Sequence, residues 1–221
     1  MDGTNDETRA GERYDWWSRH PRALEILYDV AFLGREATFR RRAMEALSLT
    51  SGERVLEVGC GNGNSFAAIH EAVGSTGTLV GMDASRGMVR SARNRIRDRG
   101  WGNVHVLRGD AQRPPLASGT FDAAYASMAL SAVPNPERAI EATTDALRPG
   151  GRLVLLDAQP FQGWPWRRLN PLVVPVAEYA TNWVPQVDLV AILRREFETV
   201  DVTTYNAGSI LIARARRTAT E

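Results

Sequence analysis

Glu57, Gly59, Gly61 and Gly63 sit together where an apolar, β-branched run stops in the pattern E-x-G-x-G-x-G. Such a run reads as a buried strand feeding a tight turn, whose missing side chains let a ligand approach the backbone. Two kinds of site begin this way. A dinucleotide site needs G-x-G-x-x-G, with the pyrophosphate on a helix N-terminus and the last glycine allowing close helix packing. Here the place of that last glycine is taken by Asn64. A carboxylate at Glu57 repels a pyrophosphate and attracts an ammonium group. The spacing therefore points away from NAD and towards an amino-acid-bearing nucleoside.

Two further carboxylates fit such a ligand. Asp83 follows Gly63 by 20 residues, the separation at which an acidic residue meets ribose hydroxyls in nucleotide folds of this wiring. A carboxylate accepts both vicinal hydroxyls in a fork, through strong charge-assisted bonds. The alternative role for Asp83 is to cap a helix starting near Ser85. Asp110, in Gly109-Asp110-Ala111, sets a carboxylate and a backbone amide where an adenine amino group and ring nitrogen are recognisable; a structural turn aspartate is the alternative.

These residues need a scaffold that gathers strand ends. Hydrophobic patterning predicts strands from 55, over 77–83, 104–107, 121–127 and 152–157, with helices over 65–73, 86–99, 136–147 and 187–195 between them. In a doubly wound sheet, ligands bind at the carboxyl ends of strands near the switch in strand order, so the motifs converge on one crevice. Two last strands, 198–204 and 209–215, are joined by Asn206-Ala207-Gly208, which is hairpin chemistry. The expected fold is an α/β, doubly wound, seven-stranded Rossmann-like sheet, mostly parallel with an antiparallel terminal hairpin. Apolar residues at helical spacing around 16–31 and a helix over 35–47 predict a helical N-terminal cap.

Along the chain, the glycine motif is followed by Gly81-Met82-Asp83, Gly109-Asp110-Ala111, Phe121-Asp122-Ala123 and Leu147-Arg148-Pro149-Gly150-Gly151. On these five motifs in register, which cover about half the chain, the sequence resembles the class I S-adenosylmethionine-dependent methyltransferases. The resemblance implies S-adenosyl-L-methionine as cofactor and S-adenosyl-L-homocysteine as product. It implies a cofactor-binding set of Tyr28, Glu57, Gly59, Cys60, Gly61, Asn62, Asp83, Ala84, Asp110, Ala111 and Ser127, with the strand end at Ser127, Met128 and Ala129 towards the methionine half. Tyr28-Asp29 followed by Arg40-Arg41-Arg42 resembles the N-terminal region of the quinone and phospholipid methyltransferase branch, where a tyrosine lies against the cofactor; packing of the helix pair is the other role for Tyr28. Many relatives carry a histidine pair at the positions of Ser131 and Ala132, and its absence removes an obvious general base. The stretch Ser131-Ala132-Val133-Pro134-Asn135-Pro136 looks more like the phosphatidylethanolamine N-methyltransferase subgroup.

The resemblance implies methyl transfer to a small-molecule or lipid-like acceptor. A non-catalytic, S-adenosylmethionine-binding regulatory or scaffold protein is the alternative, suggested by the missing histidines. Transfer to a neutral amine needs no dedicated base, whereas a phenol or enolic carbon does. Candidates near the expected mouth are Tyr28, Tyr14, His20 and Asp157, and the catalytic residues stay unassigned.

With 221 residues and 43% hydrophobic content, the chain holds one α/β domain with a full core and room for a cap. The expected organisation is a flexible tail over 1–12, the cap over 13–50, and the main domain over 51–221 with an insertion at 158–185. A formal charge of +1 from 27 basic and 26 acidic residues provides no field for nucleic acid. Every basic residue is arginine, which excludes lysine Schiff-base chemistry. The single cysteine, Cys60, forms no internal disulfide, and His20, His70 and His105 are isolated from one another, so no Cys/His metal site is expected. No secretory signal and no apolar run of about 18 residues occur, and a cytoplasmic protein is expected. The insertion carries Trp164, Trp166, Arg167, Arg168 and three prolines within 161–179. It suits a lid or acceptor pocket, or packing over the sheet edge. Its aromatic and arginine side chains, with Trp16 and Trp17, also suit peripheral contact with a membrane. The oligomeric state is left open.

Overall fold

The computed structural model describes residues 16–17 and 19–219. The tail over 1–12 and Tyr14 lie outside the described residues. Helices α1 (Pro21–Ala31) and α2 (Glu36–Leu47) come first, followed by β1 (Arg54–Val58), α3 (Phe66–Val73), β2 (Thr78–Asp83), α4 (Arg86–Arg99), β3 (Val104–Arg108) and β4 (Phe121–Ser127). A 3-10 turn (Leu130–Ala132), α5 (Pro136–Ala146) and β5 (Leu147–Ala158) come next. The chain then forms a second 3-10 turn (Trp166–Leu169), α6 (Asn170–Thr181), α7 (Leu189–Glu196), β6 (Thr199–Tyr205) and β7 (Ile210–Arg216).

The sheet has seven strands in the order β3-β2-β1-β4-β5-β7-β6. The first five are mutually parallel, and β7 pairs antiparallel with both β5 and β6. The strand order reverses between β1 and β4, where Glu57 lies opposite Tyr125 and Val58 opposite Ala126. Central parallel strands are covered on both faces and read as continuous apolar runs. Alternation along them then splits the core in two. Leu56, Val58, Ala124, Ala126, Leu153 and Leu155 pack with Ile140 of α5 and Leu193 of α7. Val55, Ala123, Tyr125, Val154 and Leu156 pack with Phe39, Ala43 and Leu47 of α2 and with Phe66 and Ile69 of α3. The second helix of the cap is thus a layer of the main core.

Arg152 fastens that layer. Its guanidinium meets both oxygens of Glu53, at 2.8 and 2.7 Å, and donates to the carbonyls of Leu47 and Ser48 at the end of α2. Between α1 and α2 the chain turns through two left-handed residues, Leu33 (φ 53) and Gly34 (φ 70).

Two elements differ from the pattern-based expectation. The residues expected as a turn before β5 belong to the strand, with an irregularity that shifts the pairing between Phe121↔Leu147 and Ala123↔Arg152. The insertion contains a helix, α6, with Pro175 inside it and no buried residue. A proline and the lack of an inward apolar stripe erase the usual periodic signal. Among the described residues no helix is long and apolar enough to cross a membrane.

Candidate functional site

The tips of β1 to β4 open on a cavity of about 610 Å³. β1 ends in a turn that only glycine serves well. Gly59 has φ 66, and a Cβ there would come within 2.3 Å of the Ala129 Cβ, so the turn is pressed against the segment after β4. At Gly61, φ 54, an added Cβ would meet no atom of the described residues beyond its chain neighbours within 4 Å, so its backbone lies open. The turn is tied to β2: the Cys60 amide donates to the Met82 carbonyl at 3.0 Å and the Gly61 amide to Asp83 Oδ2 at 2.8 Å. Asp83 Oδ1 accepts from the Ser85 amide at 2.8 Å. Helix α4 is capped by Ser85 itself, whose hydroxyl accepts from the Met88 amide, so the cap role considered for Asp83 falls to its neighbour.

Glu57, on β1, is 3% exposed and its Oε2 has no hydrogen-bond partner among the described residues. Burial pushes its carboxyl up to about 8, against a hydrogen bond from Ser65 and the charge of Arg40, which lower it; Asp83 adds to the rise. Arg40 enters from α2. Its Nε donates to Glu36 at 2.7 Å and its Nη1 to the Ser127 hydroxyl at 3.1 Å. Tyr28, from α1, has its phenol pushed up to about 12 by burial, partly countered by Arg40. At the far end, Asp110 Oδ1 accepts from the amide and the side chain of Gln112 at 2.9 and 3.0 Å. Met128, which follows β4, is a non-glycine residue at φ 52.

All eleven residues of the expected binding set line this one cavity. Met128 and Ala129, expected beside the methionine half, line it as well, and so do Arg40 and Gln112, which were not expected there. For Arg40 a signal was present: positions 36, 40, 43 and 47 share one helix stripe, and Ala43 and Leu47 are buried, so two charged residues on that stripe needed a reason. The base candidates fare differently. Asp157 is fully buried and away from the cavity lining, accepting from the Ser131 amide and hydroxyl and the Ala158 amide. His20 stacks on Trp16 outside the cavity. No residue of 158–185 lines the cavity.

A family model described as "Methyltransferase domain" matches residues 55–151, the segment that supplies the tips of β1 to β4. Over that segment the chain is similar to methyltransferase domains. It is 32% identical over 134 residues to the ubiquinone/menaquinone biosynthesis C-methyltransferase UbiE of Pseudomonas entomophila, covering 60% of this chain and 52% of that protein. It is 29% identical over 220 residues to the demethylmenaquinone methyltransferase of Beutenbergia cavernae, covering 90% of this chain and 88% of the relative. The chain spans about half the length of the UbiE relatives it matches. The fold is shared with a SAM-dependent methyltransferase from Aquifex aeolicus, at a TM-score of 0.61 and 19% identity over 80% of this chain and 88% of that one.

Proposed function

We propose that the chain is an S-adenosylmethionine-dependent methyltransferase that holds its cofactor across the tips of β1 to β4 and methylates a small-molecule or lipid-like acceptor. The observation that carries this reading is Glu57 Oε2, a buried acceptor without a partner beside a cavity of nucleoside size. A buried carboxylate lacking a partner is costly, and a ligand ammonium group meets that need. The cofactor supplies an activated methyl group on its sulfonium.

The chain's own residues hold and orient. Glu57 takes the ammonium group, and Arg40, braced on Glu36 and Ser127, offers a cation for the neighbouring carboxylate. Asp83, on the cavity lining, offers a carboxylate suited to ribose hydroxyls. Asp110 and Ala111 serve the adenine edge, and Gly61 leaves room for the ligand against its backbone. Tyr28, with Ala132, Val133 and Pro134, rims the side from which an acceptor approaches. Alignment of this kind is worth on the order of 7–11 kcal/mol in well-placed systems.

The names of the relatives support an acceptor of the quinone type, and the near-balanced charge supports a small molecule over nucleic acid. The lone, buried Cys60 supports a reducing, cytoplasmic setting. Calorimetry with S-adenosylmethionine and S-adenosylhomocysteine tests the reading, and folded protein that binds neither at sub-millimolar ligand overturns it. A second reading, binding without transfer, is favoured by one observation: no histidine lines the cavity, and Tyr28 is held protonated. Incubation with labelled cofactor and candidate quinones, amines and thiols separates the two, because reproducible methyl incorporation excludes it.

A further inference from the structure

Helix α6 turns its apolar stripe outward. Leu172, Val176 and Tyr179, spaced one helix turn apart, are 72%, 67% and 83% exposed. Leu169 and Trp166 continue the stripe towards the N-terminus, and Trp164 stands at its head, 80% exposed. A surface helix ordinarily faces its apolar stripe to the core, and exposed apolar faces of this extent mark sites of contact. The opposite side is fastened: the Trp17 indole donates to the Ala180 carbonyl at 3.0 Å, the Trp183 indole to the Ala158 carbonyl at 3.2 Å, and the Val184 amide to the Ser131 carbonyl at 2.8 Å.

Charge selects what meets this face. Within 159–181 the charged residues are Arg167, Arg168 and Glu178. Both arginines are exposed beside Trp166, whereas Glu178 accepts from Gln186. Indole rings at headgroup depth, aliphatic side chains among acyl carbons and guanidinium groups on lipid phosphates suit an anionic bilayer. Twelve residues make about 18 Å of helix, well short of the roughly 30 Å hydrocarbon core, so the helix lies in the plane of the membrane. We propose that α6 and the 164–168 turn dock this chain on an anionic lipid surface. The chain that leaves α6 is tied next to the cavity wall, because the Val184 amide donates to the Ser131 carbonyl and the following Ala132, Val133 and Pro134 line the cavity. Docking needs neither cofactor nor acceptor, so its test is independent of methyl transfer.

The intact chain is sedimented at low salt with phosphatidylcholine vesicles, with and without phosphatidylglycerol. It is expected to pellet with the anionic vesicles. Arg167→Glu/Arg168→Glu and Leu172→Asp/Val176→Asp are each expected to weaken binding at least about tenfold, with S-adenosylhomocysteine affinity and melting midpoint retained. Brominated anionic lipids are expected to quench tryptophan emission, and Trp164→Phe/Trp166→Phe to remove that quenching while the protein still pellets. Wild-type protein left in the supernatant, equal binding to pure phosphatidylcholine, or variants that bind like wild type would overturn the proposal. So would a lipid-free dimer that Leu172→Asp/Val176→Asp dissociates, which would assign the face to a second copy of this chain.

Discussion

Glu57 joins ligand recognition to acid–base behaviour. Burial pushes its carboxyl up to about 8, against roughly 4.3 in an unfolded chain. Between those values the folded, ligand-free protein holds a proton that the unfolded chain has lost, so this residue's contribution to stability falls as pH rises through the window. Melting curves of the ligand-free protein are expected to show a flatter decline over that range in Glu57→Gln than in wild type; identical slopes would refute the assignment. Binding of an ammonium group favours the ionised carboxylate, so affinity for S-adenosylhomocysteine is expected to rise with pH from about 6 to 7.5. Glu57→Gln should bind at least tenfold more weakly and lose that rise in calorimetry. Asp83→Ala should also cost more than tenfold in affinity, and an unchanged dissociation constant would remove Asp83 from the site. The cavity-lining carboxylates and glycines were legible because each combines a distinctive residue type with a strand tip. Arg40 showed only as a charge on the stripe that carries Ala43 and Leu47, with nothing to say that this stripe meets the strand tips, and Gln112, which is drawn in by the turn around Asp110, gave no signal.

The turn after β1 separates packing from binding within four residues. Gly59→Ala places a methyl group against Ala129, so it is expected to lower the melting midpoint and binding together. Gly61→Ala meets no protein atom; its strained backbone should cost about 1 kcal/mol, while binding falls much further because the new methyl occupies ligand space. Equal losses of stability and affinity in Gly61→Ala would show that this backbone does not face the ligand. The alternation of sheet and helix was legible wherever burial imposed a clear period, as in β1, β4 and α4. It failed at α6, whose outward apolar stripe and Pro175 obey surface rather than core rules, and at the start of β5, where a pairing irregularity draws turn residues into the strand.

Over the whole molecule, Arg152 is the clamp between the end of α2 and the sheet. Burial pushes Glu53 up, yet hydrogen bonds from Arg152 and the Thr50 amide hold it below the usual carboxylate range. The stability from this pair is therefore present above the ordinary carboxylate range and is lost as pH falls. Arg152→Met leaves Glu53 without its partner and is expected to cost about 3 kcal/mol, or roughly 10 °C in melting midpoint; a shift under about 2 °C would mean the clamp carries no weight. The two helices that reach over the cavity are anchored unequally. α2 is sunk into the core through Phe39, Ala43 and Leu47, whereas α1 joins it through the left-handed pair Leu33 and Gly34, with Trp17 before it tied to Ala180. Phe32, buried just after α1, and the Asn206 side chain on its carbonyl hold that end of the helix, so removal of the Trp17 indole is expected to loosen the other end and quicken release of a bound nucleoside.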